Sequence, residues 1–264
     1  MTANPLIPLF DEKTGVATLT FNRPEVRNAI NIAMAEAFLE AVIELKKQQG
    51  LRCIVLTGAG KAFMAGGDVA SMAGTPEQTR DLINGLLVPL HEAILLLRSM
   101  DAPIIAAVKG AAAGAGLSLA LIADLIVAEE NAKFLIAYNG IGAVPDCGGS
   151  WSLPHKIGAA RASAMMLLGR QLTATEAKDW GMLTEVASSG SFDETLAAIV
   201  KRVATGPTLA FGAFRRLVDQ AGGRPLAAQL EAERLAFLKA AETRDFKEGV
   251  SAFISKRPAE FSGK

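Results

Sequence analysis

The chain holds one tyrosine, two tryptophans, two histidines and two cysteines among 264 residues, and each scarcity removes a class of explanation. Cys53 lies inside the apolar run LRCIVLTG and Cys147 in a glycine-rich turn, so the pair offers neither a disulfide framework nor metal-ligand spacing. A reducing compartment follows as the natural reading, and a cytoplasmic location is expected. An excess of one charge is also lacking. Lysine plus arginine equals aspartate plus glutamate at 27 each, which leaves no global field to draw in nucleic acid or an anionic membrane surface. Any anionic ligand must then be held by a few placed residues. The opening MTANPLIPLFDEKTG has no basic segment leading into an apolar one, as a secretory signal would. The most apolar stretch, Ala102 to Ala128, is broken by Lys109, several glycines and Asp124, and does not read as a membrane span.

What is present is apolar residue in quantity, half of the chain, enough for a sizeable core in one domain with an appendage. VATLTF at Val16 to Phe21 reads as a strand, Asn31 to Gln49 has helical periodicity, and Cys53 to Thr57 is a short apolar strand. A second round follows: a helix near Glu77 to Arg98, a strand at Ile104 to Val108, a glycine-broken turn, a short helix around Leu117 to Ile122, and a strand at Leu125 to Ala128. The pattern is α/β, with strands feeding glycine turns. Beyond Gly148 the chain becomes mainly helical. Thr173 and Glu176 form a capping box for a helix that should stop near Gly181. From about Ser191 only helices are expected, with breaks at Gly206-Pro207 and around Gly222 to Pro225. We divide the chain into a core over residues 1–200 and a helical C-terminal region over 201–264, whose apolar positions face the core or other subunits.

Two segments suggest chemistry. FMAGGD at Phe63 to Asp68 and KGAAAGAGLSLALIAD at Lys109 to Asp124 each bring a turn of small residues to the end of an apolar strand. Bare backbone N–H groups can point into a shared cavity there, and one from each segment would make an oxyanion hole. The Gly114-Ala115-Gly116 turn opens a helix, so its donors gain from the helix N-terminal dipole. Such a donor is typically worth about 3 kcal/mol in a transition state. Sharp strand turns also collect glycine for purely structural reasons.

With FNRPEVRNAI at Phe21 to Ile30, IGAVPDCGGSWSLP at Ile141 to Pro154, LTATEAKDWGML at Leu172 to Leu183 and EGVSAFISKRPAEF near the C-terminus, these segments resemble, in order and over nearly the whole chain, the crotonase or enoyl-CoA hydratase/isomerase superfamily. The resemblance implies a spiral of ββα turns with a helical C-terminal region, assembled as a homotrimer or a dimer of trimers. It implies an acyl-CoA thioester as substrate, with no metal and no cofactor beyond the coenzyme A moiety of that substrate. By motif position the thioester oxygen would lie between the N–H groups of Gly67 and Ala115, the second usually glycine in the family.

Hydratases of this family use two glutamates around a water. Ser118 and Tyr138 stand at those positions here. Neither hydroxyl is a ready base at neutral pH. The acid that remains is Asp146, at a place where isomerase-like branches carry theirs, and one carboxylate suffices for a 1,3 proton shift. The expected reaction is therefore conversion of a 3-enoyl-CoA to a 2-enoyl-CoA. The alternatives are enoyl-CoA hydration, an aroyl-CoA dehalogenase or thioester hydrolase with Asp146 as nucleophile and His91 and Tyr138 beside it, and a non-catalytic CoA-ester binding subunit. Asp146 could also merely cap the helix that begins near Gly149, and His91 could be an ordinary helix-surface residue. For the CoA portion the resemblance suggests Arg23 and Arg27 at the phosphates, the Ala65 carbonyl or amide at the adenine, and Phe253 and Lys256 from the C-terminal helix, the last two from the same or a neighbouring subunit. Asp68 and Asp124 are expected to be structural acceptors, Asp68 at the edge of the substrate site. Trp151 and Trp180 are expected to be packing anchors.

Overall fold

A computed structural model describes residues 4–264. Six strands form the main sheet in the order β1 (Leu6–Asp11), β2 (Val16–Phe21), β3 (Cys53–Gly58), β4 (Ile104–Val108), β6 (Leu125–Glu129) and β9 (Glu185–Ala187). Only the β1/β2 pair is antiparallel. Pro8 sits in β1, an edge strand, where its missing N–H is tolerated. A smaller sheet has the order β5 (Ala111–Ala113), β7 (Lys133–Leu135) and β8 (Leu172–Thr173). Isolated bridges between Met64 and Ala112 and between Ile30 and Gly67 tie the FMAGGD segment alongside it. Each turn of the fold thus runs from a main-sheet strand, through a bend, into a short pairing segment and then a helix, which is the expected ββα spiral.

Side-chain alternation along the strands decides what each face buries. Ile54, Leu56, Ile104, Ala106, Val108 and Ile126 face a large core shared with helices α1 (Ile32–Lys47) and α2 (Pro76–Ser99). Cys53, Val55, Ile105, Ala107 and Val127 face the opposite way, against Phe192 and Ala204 of α7 (Phe192–Ala204). α2 is long and apolar enough to cross a bilayer by length and composition alone; its Leu86, Leu90, Ala93, Ile94 and Leu97 are buried, and it packs on α1.

The remaining helices are α3 (Ala115–Leu121), α4 (Gly149–Ile157), α5 (Ala159–Leu167), α6 (Ala174–Asp179), α8 (Thr208–Ala221), α9 (Leu226–Ala241) and α10 (Arg244–Ile254). The Thr173/Glu176 capping box is formed on both sides and opens α6, which ends before Gly181. Breaks fall at Gly206-Pro207 and across residues 222–225. The division after residue 200 falls inside α7, whose inner face belongs to the sheet; Thr205 to Pro207 is the nearest break in the chain.

Candidate active site

The two glycine segments meet. Ile30 N–H donates to the Gly66 carbonyl and Asp68 N–H to the Ile30 carbonyl, so this short parallel bridge uses the groups on either side of Gly67 and leaves the Gly67 N–H pointing away from it. On the other segment, Gly114 N–H donates to Leu135 and Ser118 N–H to Gly114, while Ala115 is the first residue of α3 and its N–H has no backbone acceptor. A Cβ added to Gly66 would lie 3.6 Å from the Ala115 nitrogen. Ala115 itself is absent from the positive-φ residues, so its Cβ is accommodated, whereas Gly114 has φ 52° and ψ −126°. Gly116 is required by close approach, because a Cβ there would stand 2.4 Å from the Met64 carbonyl oxygen.

One helical turn into α3, buried Ser118 places its Oγ 3.3 Å from the Tyr138 hydroxyl, and that hydroxyl donates to Asp146 Oδ1. Burial, and after it the Asp146 carboxylate, push the Tyr138 phenol above its ordinary range, so it is a neutral donor. Asp146 does not cap the following helix. The N-cap of α4 is Gly148 with no side-chain cap bond, and Asp146 meets the helix start only through its backbone carbonyl, which accepts from Gly149 N–H. Among the described residues no lysine, arginine or histidine forms an ion pair with Asp146. His91 is exposed on α2, and its Nε2 accepts from Cys147 N–H at 3.4 Å. It therefore touches the turn beside Asp146 from α2. Cys147 adopts a left-handed φ of 49°, and burial, then the adjacent Asp146, raise its thiol. A half-open cavity of about 240 Å³ is lined by Gly114, Ser118 and Tyr138, together with residues of α4 and α5.

The candidate site thus joins the two glycine segments to a chain of hydroxyls running from Ser118 through Tyr138 to Asp146, with an apolar-lined cavity against Ser118 and Tyr138. The family model described as enoyl-CoA hydratase/isomerase matches residues 11–264. The chain belongs to the enoyl-CoA hydratase/isomerase family. It is 38% identical to the 1,2-epoxyphenylacetyl-CoA isomerase of Escherichia coli strain K12, over 95% of this chain and 96% of that one. It is 34% identical to the 2,3-dehydroadipyl-CoA hydratase of the same organism, over 94% and 96%. A crystal structure from Mycobacterium abscessus, described as an enoyl-CoA hydratase/isomerase, superposes with a TM-score of 0.91 at 35% identity, covering 98% of this chain and all of that one.

The remaining residues expected of an enoyl-CoA hydratase/isomerase are placed unevenly. Arg23 is partly buried, and its guanidinium donates to the Ala29 carbonyl at 2.6 Å and to Asp68 Oδ2 at 3.2 and 3.3 Å, so its charge is paired with Asp68 within the chain. Arg27 is exposed in a left-handed conformation, and its carbonyl accepts from Ala65 N–H at 2.9 Å. The Ala65 amide is therefore occupied, and the carbonyl is the group left for an adenine. Phe253 and Lys256 are not brought to the site of their own chain: Phe253 lines a separate cavity between α8 and α10, and Lys256 lies exposed just past α10.

Asp124 binds Ile104 N–H and Arg215 at 2.8 Å each, as a structural acceptor. Trp180 packs between the guanidiniums of Arg161 and Arg170. Trp151, by contrast, is 45% exposed and stacks only on His155, so it anchors nothing within one chain. One positioning residue escaped the sequence reading. Fully buried Asn28 accepts from Arg23 N–H and donates to the carbonyls of Ala59, Ala62 and Phe63, which clamps the entry to FMAGGD. Its signal was an asparagine in a turn motif, a residue that tolerates the left-handed φ of 59° found there.

Proposed function

We propose that this protein is an enoyl-CoA isomerase that moves the double bond of a 3-enoyl-CoA into conjugation with the thioester. The observation that carries the reading is the state of the carboxylates. Asp68 is paired with Arg23, while the Asp146 carboxylate caps no helix, forms no ion pair among the described residues and accepts a hydrogen bond from a neutral phenol. One available carboxylate can serve as both base and acid in a 1,3 shift, whereas the hydration expected of the family calls for two.

In this reading the thioester oxygen accepts from Gly67 and Ala115 N–H. Asp146 removes a proton from C2, and the electron pair of that C–H bond moves into an enolate whose oxygen the two donors stabilise. The enolate oxygen then re-forms the carbonyl, the C1–C2 π pair moves to C2–C3, and the former C3–C4 π pair takes the proton back from the same carboxyl group at C4. Substrate and product are isomers, so no other reactant is needed. The relatives include both an isomerase and a hydratase, and the serine and tyrosine at the two positions where the hydratases are expected to carry glutamates favour the former here.

The test is an ultraviolet progress curve on matched 3-enoyl-CoA and 2-enoyl-CoA. Absorbance should rise with the 3-enoyl substrate as conjugation forms, and Asp146→Asn should lower kcat by about a hundredfold or more. Unchanged turnover in the variant removes Asp146 from the chemistry. A fall in absorbance with the 2-enoyl substrate, giving a 3-hydroxyacyl product, replaces isomerisation by hydration, and a covalent mass increase on Asp146 would make it a nucleophile.

A further inference from the structure

The Gly67 donor has no strand or helix of its own to hold it. It lies in a short bridge with Ile30, and the hydrogen bonds of that bridge are made by its neighbours Gly66 and Asp68. The turn that precedes Ile30 is itself closed. Asn28 N–H donates to the Arg23 carbonyl at 2.8 Å and Arg23 N–H donates to Asn28 Oδ1 at 2.9 Å, across left-handed Arg27 and Asn28.

From this turn the Arg23 side chain reaches over the bridge. Its Nη1 donates to the Ala29 carbonyl at 2.6 Å and to Asp68 Oδ2 at 3.3 Å, and Nη2 adds a second bond to the same carboxylate oxygen at 3.2 Å. Ala29 precedes Ile30 and Asp68 follows Gly67, so one guanidinium staples both sides of the bridge. With side-chain exposures of 18% and 24%, the pair is partly shielded from water, which strengthens a charge-assisted contact. Such stiffness bears on catalysis, because an oxyanion donor acts only at hydrogen-bond distance from the developing charge, and a misplacement of about 1 Å costs about a hundredfold in rate.

We infer that Arg23 and Asp68 are positioning residues of the oxyanion hole: their ion pair, tied to the Ala29 carbonyl, fixes where the Gly67 N–H points. The inference rests on the proposed placing of the thioester oxygen between Gly67 and Ala115, and is independent of which proton transfer follows. The competing role for Arg23 is contact with a CoA phosphate, and a substrate without phosphate separates the two.

The experiment sets Arg23→Gln and Asp68→Asn against wild type on 3-hexenoyl-CoA and on the matching pantetheine thioester, which has the same acyl group and no phosphate. Each variant should lower kcat on the CoA substrate about ten- to a hundredfold with KM within about twofold, and lower kcat/KM on the pantetheine thioester by the same factor. The double variant should be about as slow as the slower single one, because either change alone breaks the same link. A second readout needs no turnover: the infrared carbonyl stretch of bound hexanoyl-CoA, isotope-labelled at the thioester carbonyl. Hydrogen bonds polarise the carbonyl and lower its frequency in the wild type, and both variants should return it toward the value of the free thioester. Loss of folded protein would weaken the band without moving it. A loss confined to the CoA substrate and carried by KM makes Arg23 a phosphate ligand and overturns the inference, as does a wild-type band position in both variants. A wild-type band at the free value also overturns it, by taking the thioester away from the Gly67 donor. The expected band shifts without isomerisation of any 3-enoyl thioester overturn the reaction and leave the positioning role standing.

Discussion

A phenol kept protonated by burial donates, and at Asp146 the group it donates to is a carboxylate oxygen, so on the proposed mechanism Tyr138 fixes the orientation of the base without competing for the substrate proton. Removing that donor by Tyr138→Phe takes away a hydrogen bond to a charged group, worth about 1.5–3 kcal/mol, and kcat should fall about ten- to a hundredfold with KM within about twofold. Steady-state kinetics on the 3-enoyl substrate check this; a raised KM with unchanged kcat would reduce Tyr138 to cavity wall. A backbone donor can be removed almost as cleanly. Ala115 is the first residue of α3, the helix position that accepts proline, and Gly114 before it has the freedom to precede one. Ala115→Pro should therefore leave the fold in place and lower kcat about 10²- to 10³-fold. Circular dichroism alongside the kinetics separates this from unfolding. The turns of small residues at Gly67 and Ala115 and the acid at Asp146 stand out in the sequence because they are local features. The pairing of Arg23 with Asp68 does not, because the two lie far apart along the chain and only the fold brings them together.

The long elements could be read from periodicity, since α1, α2 and the strands β2, β3, β4 and β6 each carry a full repeat of their pattern. The short ones could not. β5 is three alanines, which have no preference for strand, and exists because Met64 and β7 hold it from either side. β8 and β9, with two and three residues, are likewise tertiary products. The contact of Tyr138 with Asp146 was hidden for a related reason: the path between them turns through left-handed Gly142 and is flanked by left-handed Ala137 and Cys147, so no regular period brings the two together. The junction of elements that matters most is where α3 crosses the FMAGGD segment. Gly116→Ala places a methyl 2.4 Å from the Met64 carbonyl oxygen and 2.7 Å from its Cβ, and neither backbone can yield without moving a donor of the oxyanion pair. The expected outcome is a stability loss of about 1–3 kcal/mol by urea titration, with a fall in kcat larger than the residual folded fraction explains. Wild-type kcat in a destabilised variant would show that the two segments need not be held this closely.

At the scale of the whole molecule, three buried acids bias the fold against alkali. Burial, with Asp124 adding to it, pushes the Cys53 thiol up to about 12, and Cys147 and Tyr138 are raised in the same direction. A raised folded-state value means the stabilisation is complete below the unfolded thiol's value of about 8.5 and is lost as pH climbs from there toward the folded value, by up to about 1.4 kcal/mol per pH unit for each group. Urea midpoints between about pH 7 and 10.5 should fall on the alkaline side, and Cys53→Ala should flatten the slope by one group's share. The C-terminal region poses the larger question of what covers it. α9 buries no residue within the chain, and Leu226, Leu230, Leu235, Phe237 and Leu238 are each more than half exposed. Trp151, Phe214, Val218, Phe253 and Ile254 add to the uncovered apolar surface. That much exposure is unfavourable for a lone chain in water, and we propose that other copies of the chain cover it, as the expected trimeric assembly would. Sedimentation at micromolar concentration should then give a multiple of 27.6 kDa, three or six copies. Paired charge substitutions at Leu230→Glu and Phe237→Glu should shift it toward the single-chain mass while leaving the helical signal of the core. A wild-type species of 27.6 kDa at that concentration would mean that these faces are not an interface between copies, and the assembly proposal would fail on that result alone.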